Sequence, residues 1–299
     1  VVATDRHQAA TKRIRSITYL GAVVNIVLAI VKLAIGLAVA SLAMVADAIH
    51  SLSDLGTDVV VVIGSHWGSK EPDLSHPYGH GRIETFSAVA VALILMLVGG
   101  AMVYQATMAI ARNESSAAHW EVLAGALFSI LAKEWLYRVT TKVAVSVHSA
   151  AVYANAWHHR SDALSSVAVL IGYFAMKLGF DHGDQVAAVA VGLMIMFVGV
   201  RVVGNALMEL TEGAVDSETI RHIEAVIDAN PAIRQWHGLR TRTVGREVFL
   251  DVHILVDPEL NVAAAHEISE TLERAMDEEI PRPVHITVHI EPDMPPFRR

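Results

Sequence analysis

Cysteine is absent from the 299 residues, which excludes disulfides, thiolate catalysis, iron–sulfur clusters and any Cys-based zinc finger. A metal site in this chain has to be built from His, Asp and Glu. Charge is also scarce: 18% of the residues are Asp, Glu, Lys or Arg, against 53% apolar ones, and mean hydropathy is +0.43. Basic residues do not predominate either. With 31 acidic and 23 basic side chains the formal net charge is -8, which argues against nucleic-acid binding through a broad basic surface. Proline is missing from every long apolar run, which argues against ion sites made from broken half-helices and makes side chains the expected ligands in those runs.

What remains is an apolar chain with a charged tail and an unusual stock of 16 histidines. From Val1 to Met208 there are 13 acidic and 14 basic residues, net +1; from Glu209 to Arg299 there are 18 and 9, net -9, and the two sum to -8. Two domains are therefore expected, a membrane domain over residues 1–208 and a soluble one over 209–299. The first holds six apolar runs near the roughly 20 residues needed to cross a bilayer: Ile14–Leu37, Leu42–His66, Glu84–Ile110, Val122–Val145, Ser149–Leu178 and Val186–Leu207. Lys and Arg set the orientation. With the N-terminus inside, the cytoplasmic segments hold Arg6, Lys12, Arg13, Arg15, Lys70, Arg82, Lys133, Arg138, Lys142 and Arg201, and the outer turns only Arg112 and Lys177, so both termini are expected in the cytoplasm.

The second and fifth runs share a pattern. Ala46-Asp-Ala-Ile-His-Ser-Leu-Ser-Asp54 and Ala154-Asn-Ala-Trp-His-His-Arg-Ser-Asp162 both read A-[DN]-A-x-H-x-x-S-D. Their places, second and fifth of six, suit a three-plus-three duplication with inverted orientation, which sets a substrate site at the repeat interface. Residues i, i+3, i+7 and i+11 fall on one helix face, so Asp47, His50, Asp54 and Asp58 form one stripe and Asn155, His158, Asp162 and Ser166 another. His50, Asp54, His158 and Asp162 would offer two imidazoles and two carboxylates to one tetrahedral ion, with Asp47 and Asn155 as accessory groups. An Asp at mid-membrane costs about 2.5–3.5 kcal/mol, so it needs a partner. The alternative is that these groups only hydrogen-bond between helices.

Between the repeats, Asp73-Leu-Ser-His76-Pro-Tyr-Gly-His80-Gly-Arg82 sets two histidines around a turn with a carboxylate close behind, a second candidate site at Asp73, His76 and His80. The tail reads as an αββαβ domain: a helix over Val215–Ala229, strands Trp236–Thr243 and Val248–Val256 joined at Gly245, a helix over Val262–Glu279 and a strand over Val284–Ile290. In the last strand His285, Thr287, His289 and Glu291 alternate with an apolar face, and His253 likewise opposes the apolar face of its strand.

These residues resemble the cation diffusion facilitator family of divalent-metal/proton antiporters, and the resemblance runs from Ile14 to Glu291. It implies six transmembrane helices, a ferredoxin-like cytoplasmic domain, a homodimer in a bacterial inner membrane, and metal export by alternating access against protons. It also implies a tail cluster at His237, His253, His266, His289 and Glu291, where Glu replaces the usual Asp, and a charge pair between Arg82 and Glu212 positions in the dimer. Zinc, as substrate and as structural or regulatory ligand, suits the His2Asp2 set best, with Fe(II), Co(II), Cd(II) and Ni(II) as alternatives. No organic cofactor and no enzymatic activity are expected: the His-Glu pair at 266–267 lacks the second His of a zinc hydrolase motif. A membrane metal sensor that does not transport is the rival class.

Overall fold

The computed structural model describes residues 2–38, 51, 54–112, 120–178, 180, 182–295 and 297. Asp47 and His50, with most of the first half of the second apolar run, lie outside them. The chain divides into two compact units, one of Gln8–Ala206 and one of Leu207–Arg299 together with Val1–His7.

The first unit is helical: α1 (Val2–Ala38), α2 (Leu55–Gly68), α3 (Arg82–Ala111), α4 (Trp120–Ser146), α5 (Ala150–Lys177) and α6 (Gly183–Leu210). Its polarity is reversed from that of a soluble bundle. Tyr19, Leu97, Leu131, Phe174 and Phe197 are all more than 60% exposed, whereas Asn25, Lys32, Asp54, Asp58, Lys133, His158 and Asp162 are buried. Only a hydrocarbon surround makes that economical, since water would drive the two sets the other way. Ala9–Ala34, Arg82–Ala111 and Ala188–Leu210 are long and apolar enough to cross a membrane by composition alone, with mean hydropathies of 2.1, 2.5 and 1.9. The described part of α2 has 14 residues. Helices α4 and α5 carry Lys133, Glu134, Arg138 and Lys142, and His158, His159, Arg160 and Asp162, charges that lower their hydropathy and that face protein where they are buried.

Small residues set the helix spacing. The core of this unit is rich in alanine, with Ala88, Ala92, Ala151 and Ala154 packed among Ile14, Val61, Val91 and Val152. Between α3 and α6 the backbones themselves meet: a Cβ on Gly99 would lie 2.8 Å from the Gly192 carbonyl oxygen, and one on Gly192 equally 2.8 Å from that of Gly99.

The second unit is an α+β domain with α7 (Ser217–Asp228), β1 (Gln235–Val244), β2 (Glu247–Val256), α8 (Val262–Glu279) and β3 (Val284–Pro292). The expected αββαβ order is present. Asp216 caps α7 by accepting from Glu218 and Thr219 backbone N–H, and Asn261 caps α8 by accepting from Ala264. Strand β2 is central, antiparallel to β1 and parallel to β3. The β1–β2 hairpin turns at Gly245, φ +60°, as the sequence requires. Ile223 and Ile227 of α7 and Leu272 and Met276 of α8 close over Val248, Leu250, Val252 and Ile254. The histidine-bearing face of the sheet is thereby left uncovered by these helices.

The glycine crossing makes a testable contrast between neighbours. Gly99→Val should destabilise the bundle by about 1–3 kcal/mol through overpacking, whereas Gly100→Ala, whose Cβ meets nothing within 4 Å, should be neutral or slightly stabilising. Thermal melting of both variants in detergent measures this; equal melting temperatures would mean that α3 and α6 do not meet at Gly99.

Candidate metal centres

The centre in the helical unit forms where α5 faces the start of α2. His158 and Asp162 sit one turn apart on α5, and Asp54 lies immediately before α2. Ligand atoms of Asp54, His158 and Asp162 all lie within 4.8 Å of one another, and the three residues are buried. His158 Nε2 is 3.3 Å from Asp54 Oδ1. A tetrahedral zinc ion needs ligand atoms about 3.4 Å apart, so small adjustments of three side chains would close the set. His50, the fourth ligand expected from the sequence, lies outside the described residues.

A residue that the sequence reading did not assign to this centre also occupies it. Lys133 of α4 places its Nζ 2.8 Å from Asp54 Oδ2 and 2.7 Å from Asp162 Oδ2, with its own side chain 1% exposed. Counted from the sequence as a cytoplasmic charge, Lys133 is instead inside the bundle, and the inside total of the orientation argument falls from ten to nine. The available signal was its place in an apolar run, where a cation requires a buried anion.

Asn155, expected as an accessory ligand, serves a neighbouring carboxylate. Its Nδ2 donates to Asp58 Oδ1 at 2.8 Å, and Asn25 Nδ2 donates to Asp58 Oδ2 at 3.3 Å, all three side chains being buried. Asn25 was not foreseen, because a lone Asn on α1 carries no motif.

In the loop between α2 and α3, Asp73, His76 and His80 come together as the spacing implies. Asp73 Oδ1 accepts from the Ser75 hydroxyl at 2.6 Å and from the Ser75 and His76 backbone N–H at 2.8 and 2.7 Å, forming an Asx-type turn. The Ser75 hydroxyl, followed by the His76 amide, holds the Asp73 carboxyl well below the usual carboxylate range. The His76 and His80 rings lie 4.4 Å apart, and His80 Nε2 is 3.4 Å from Asp73 Oδ2. Gly79 makes the turn possible with φ +80°.

The tail centre depends on strand register. His237 pairs with His253 and His253 with His289, so the three histidines cross the sheet in one row. A bulge after His237 centres on Gly238, φ +65°, where a side chain would press on the His253 ring: a Cβ there would stand 3.3 Å from His253 Cδ2. His237, His253 and Glu291 bring ligand atoms within 4.8 Å. Glu291 faces His237 Nε2 at 2.9 Å and His253 Nδ1 at 3.1 Å, with His289 at 3.6 Å. His266 stands apart from this group on α8, 69% exposed and 3.4 Å from Glu270. Glu212 faces Arg242 Nε at 3.2 Å within the tail; its expected counterpart Arg82 opens α3.

Residues 18–211 match the cation efflux transmembrane domain, and residues 215–293 match the cytoplasmic domain of cation efflux proteins. The chain belongs to the cation diffusion facilitator family. Members similar to it include metal tolerance protein C1 of Arabidopsis thaliana, 32% identical over 96% of this chain and 65% of that protein. Magnetosome protein MamB of Magnetospira sp. (strain QH-2) is 34% identical over 85% of this chain and 87% of its own length. Manganese efflux system protein MneP of Bacillus subtilis (strain 168) is 28% identical over 97% and 99%. This cation diffusion facilitator is thus a multi-pass membrane protein for metal efflux, with an α+β tail of the family's cytoplasmic-domain type.

Glu291 supplies a pH test of the tail geometry. Hydrogen bonds first from His253 and then from His237 hold its carboxyl below the ordinary glutamate range. A depressed folded pKa contributes stability that is in place above the unfolded value and is lost as pH falls through the folded one. With chelator present, the fragment from Thr211 onward carrying Glu291→Gln should melt below wild type at pH 7, and the gap should close as pH falls below the ordinary glutamate range. A gap that stays constant over that range would rule out a charge-assisted role for Glu291.

Proposed function

We propose that the protein is a homodimeric, proton-driven exporter of divalent transition-metal ions, with zinc as its foremost substrate, in a bacterial inner membrane with both termini cytoplasmic. The observation that carries this reading is the convergence of buried Asp54, His158 and Asp162 inside a helical unit. His50, four residues before Asp54 in the repeated motif, is read as the fourth ligand. Isolated carboxylates would be costly there, and a divalent ion repays that cost. Imidazole and carboxylate must be deprotonated to bind metal, so protons arriving from outside displace the ion there and neutral cytoplasmic pH favours reloading. Binding-linked rocking of one helix group against another then alternates access to the centre.

The loop trio of Asp73, His76 and His80 and the tail set of His237, His253, His289, Glu291 and His266 are read as further metal sites, separate from transport. The tail carries net charge -9, so bringing two tails together is opposed by like charge; each bound divalent ion adds two positive charges where the strands meet. Zinc at these residues would favour the dimer, with Arg82 and Glu212 as a charge pair supporting it. A second reading, manganese as the cargo, draws on the manganese efflux relative from Bacillus subtilis, matched along nearly its whole length. The imidazoles favour zinc over manganese on ligand softness.

In proteoliposomes, Asp54→Ala or Asp162→Ala should reduce zinc flux to background while leaving a folded dimer. Undiminished flux in either variant would sink the site assignment, and flux of manganese alone would select the second cargo. A protonophore should collapse zinc accumulation, and zinc-coupled proton movement should be recorded; flux without it would mean a uniporter. His253→Ala combined with His289→Ala should remove the zinc-dependent rise in melting temperature of the tail and only weaken transport.

A further inference from the structure

Lys133 presents two carboxylates with a cation that is already part of the protein. Its Nζ lies between Asp54 Oδ2 and Asp162 Oδ2, at 2.8 and 2.7 Å, and the three side chains are 1, 3 and 8% exposed. These carboxylates are the two groups that converge with His158. An ion bound by Asp54 and Asp162 while the ammonium also held them would place three positive charges against two negative ones in a low-dielectric interior, where like charges so close repel strongly. The ion and the ammonium therefore exclude one another. Lysine suits such an exchange: its charge is a compact point on a stem of four methylenes, able to swing away without a fixed fork geometry to break.

We propose that Lys133 is an internal surrogate cation, exchanging with the transported divalent ion for Asp54 and Asp162. The ammonium stays protonated throughout, and only its position changes. Three consequences follow from the charges alone. When the ion departs, Lys133 neutralises a carboxylate pair that would otherwise be stranded in the bundle. Because each binding event must displace the ammonium, affinity is held down and release is eased. An ion of single charge gains no electrostatic advantage over the ammonium, whereas a divalent ion does, so Lys133 selects for divalent cargo.

This inference rests on the reading of Asp54, His158 and Asp162 as the transport site, and the test separates the two. Zinc binding to the full-length protein in detergent is measured at one pH by titration calorimetry, each variant against the same variant carrying Asp54→Ala, so that loop and tail sites subtract out. Lys133→Gln should bind zinc at the Asp54-dependent site at least tenfold more tightly than wild type. Lys133→Arg should bind at least tenfold more weakly, because its planar fork can hold both carboxylates at once. A lysine that merely braced α4 against its neighbours would weaken binding in both variants. In proteoliposomes Lys133→Gln should keep zinc–zinc exchange but lose at least tenfold in net transport, since the returning carrier would have to neutralise both carboxylates with protons alone. If Lys133→Gln folds poorly, zinc added during purification should rescue it, and failure of rescue counts against the proposal. Equal or weaker zinc affinity in Lys133→Gln overturns it while leaving the transport site standing. No Asp54-dependent binding in any variant removes the transport site, and this inference with it.

Discussion

Charge buried in an apolar bundle has to find charge, and that requirement organises the helical unit. Lys133 on α4, Asp54 before α2 and Asp162 on α5 come from segments distant in sequence, yet each has its opposite charge beside it. Their mutual attraction draws three helices to one point. Around it a second layer repeats the logic with neutral groups, Asn25 and Asn155 donating to Asp58. Alanine and glycine elsewhere let the helices approach closely enough for these short side chains to meet. The polar interior and the apolar exterior are two results of one constraint, a surrounding medium that cannot hydrogen-bond.

The tail obeys the opposite rule. Its apolar core is inside, under α7 and α8, and its histidines lie on the open sheet face or on helix surfaces. Register performs there what buried charge performs in the bundle. A parallel β2–β3 pairing places His253 beside His289, an antiparallel β1–β2 pairing places His237 beside His253, and the bulge at Gly238 accommodates the His253 ring. A slip of one residue in β3 would turn His289 and Glu291 into the core.

Much of this was legible in the amino-acid sequence because periodicity carried it. The tail helix at Val262–Glu279 and the hairpin at Gly245 follow from caps and turn chemistry, and the grouping of His158 with Asp162 follows from helical spacing. The loop trio was equally readable, being local. What escaped was pairing between separate segments with no repeated motif. Lys133 looked like one of several basic residues in the fourth run, and its burial depends on where α4 packs, which no spacing encodes. Asn25 is a similar case. His266, assigned to the tail cluster by resemblance, faces Glu270 on its own helix.

The meeting of α3 and α6 through glycine has a mechanical side. A crossing without side chains tolerates little sliding, since a shift along either helix brings a larger residue against a carbonyl oxygen. Gly199, seven residues beyond Gly192 on α6, makes a second such point: a Cβ there would stand 2.5 Å from Met96 Cγ and 3.1 Å from the Ala92 carbonyl oxygen. Two points define a line. Helices α3 and α6 are therefore clamped in both register and angle, and they travel through any rearrangement of the bundle as one strut rather than two.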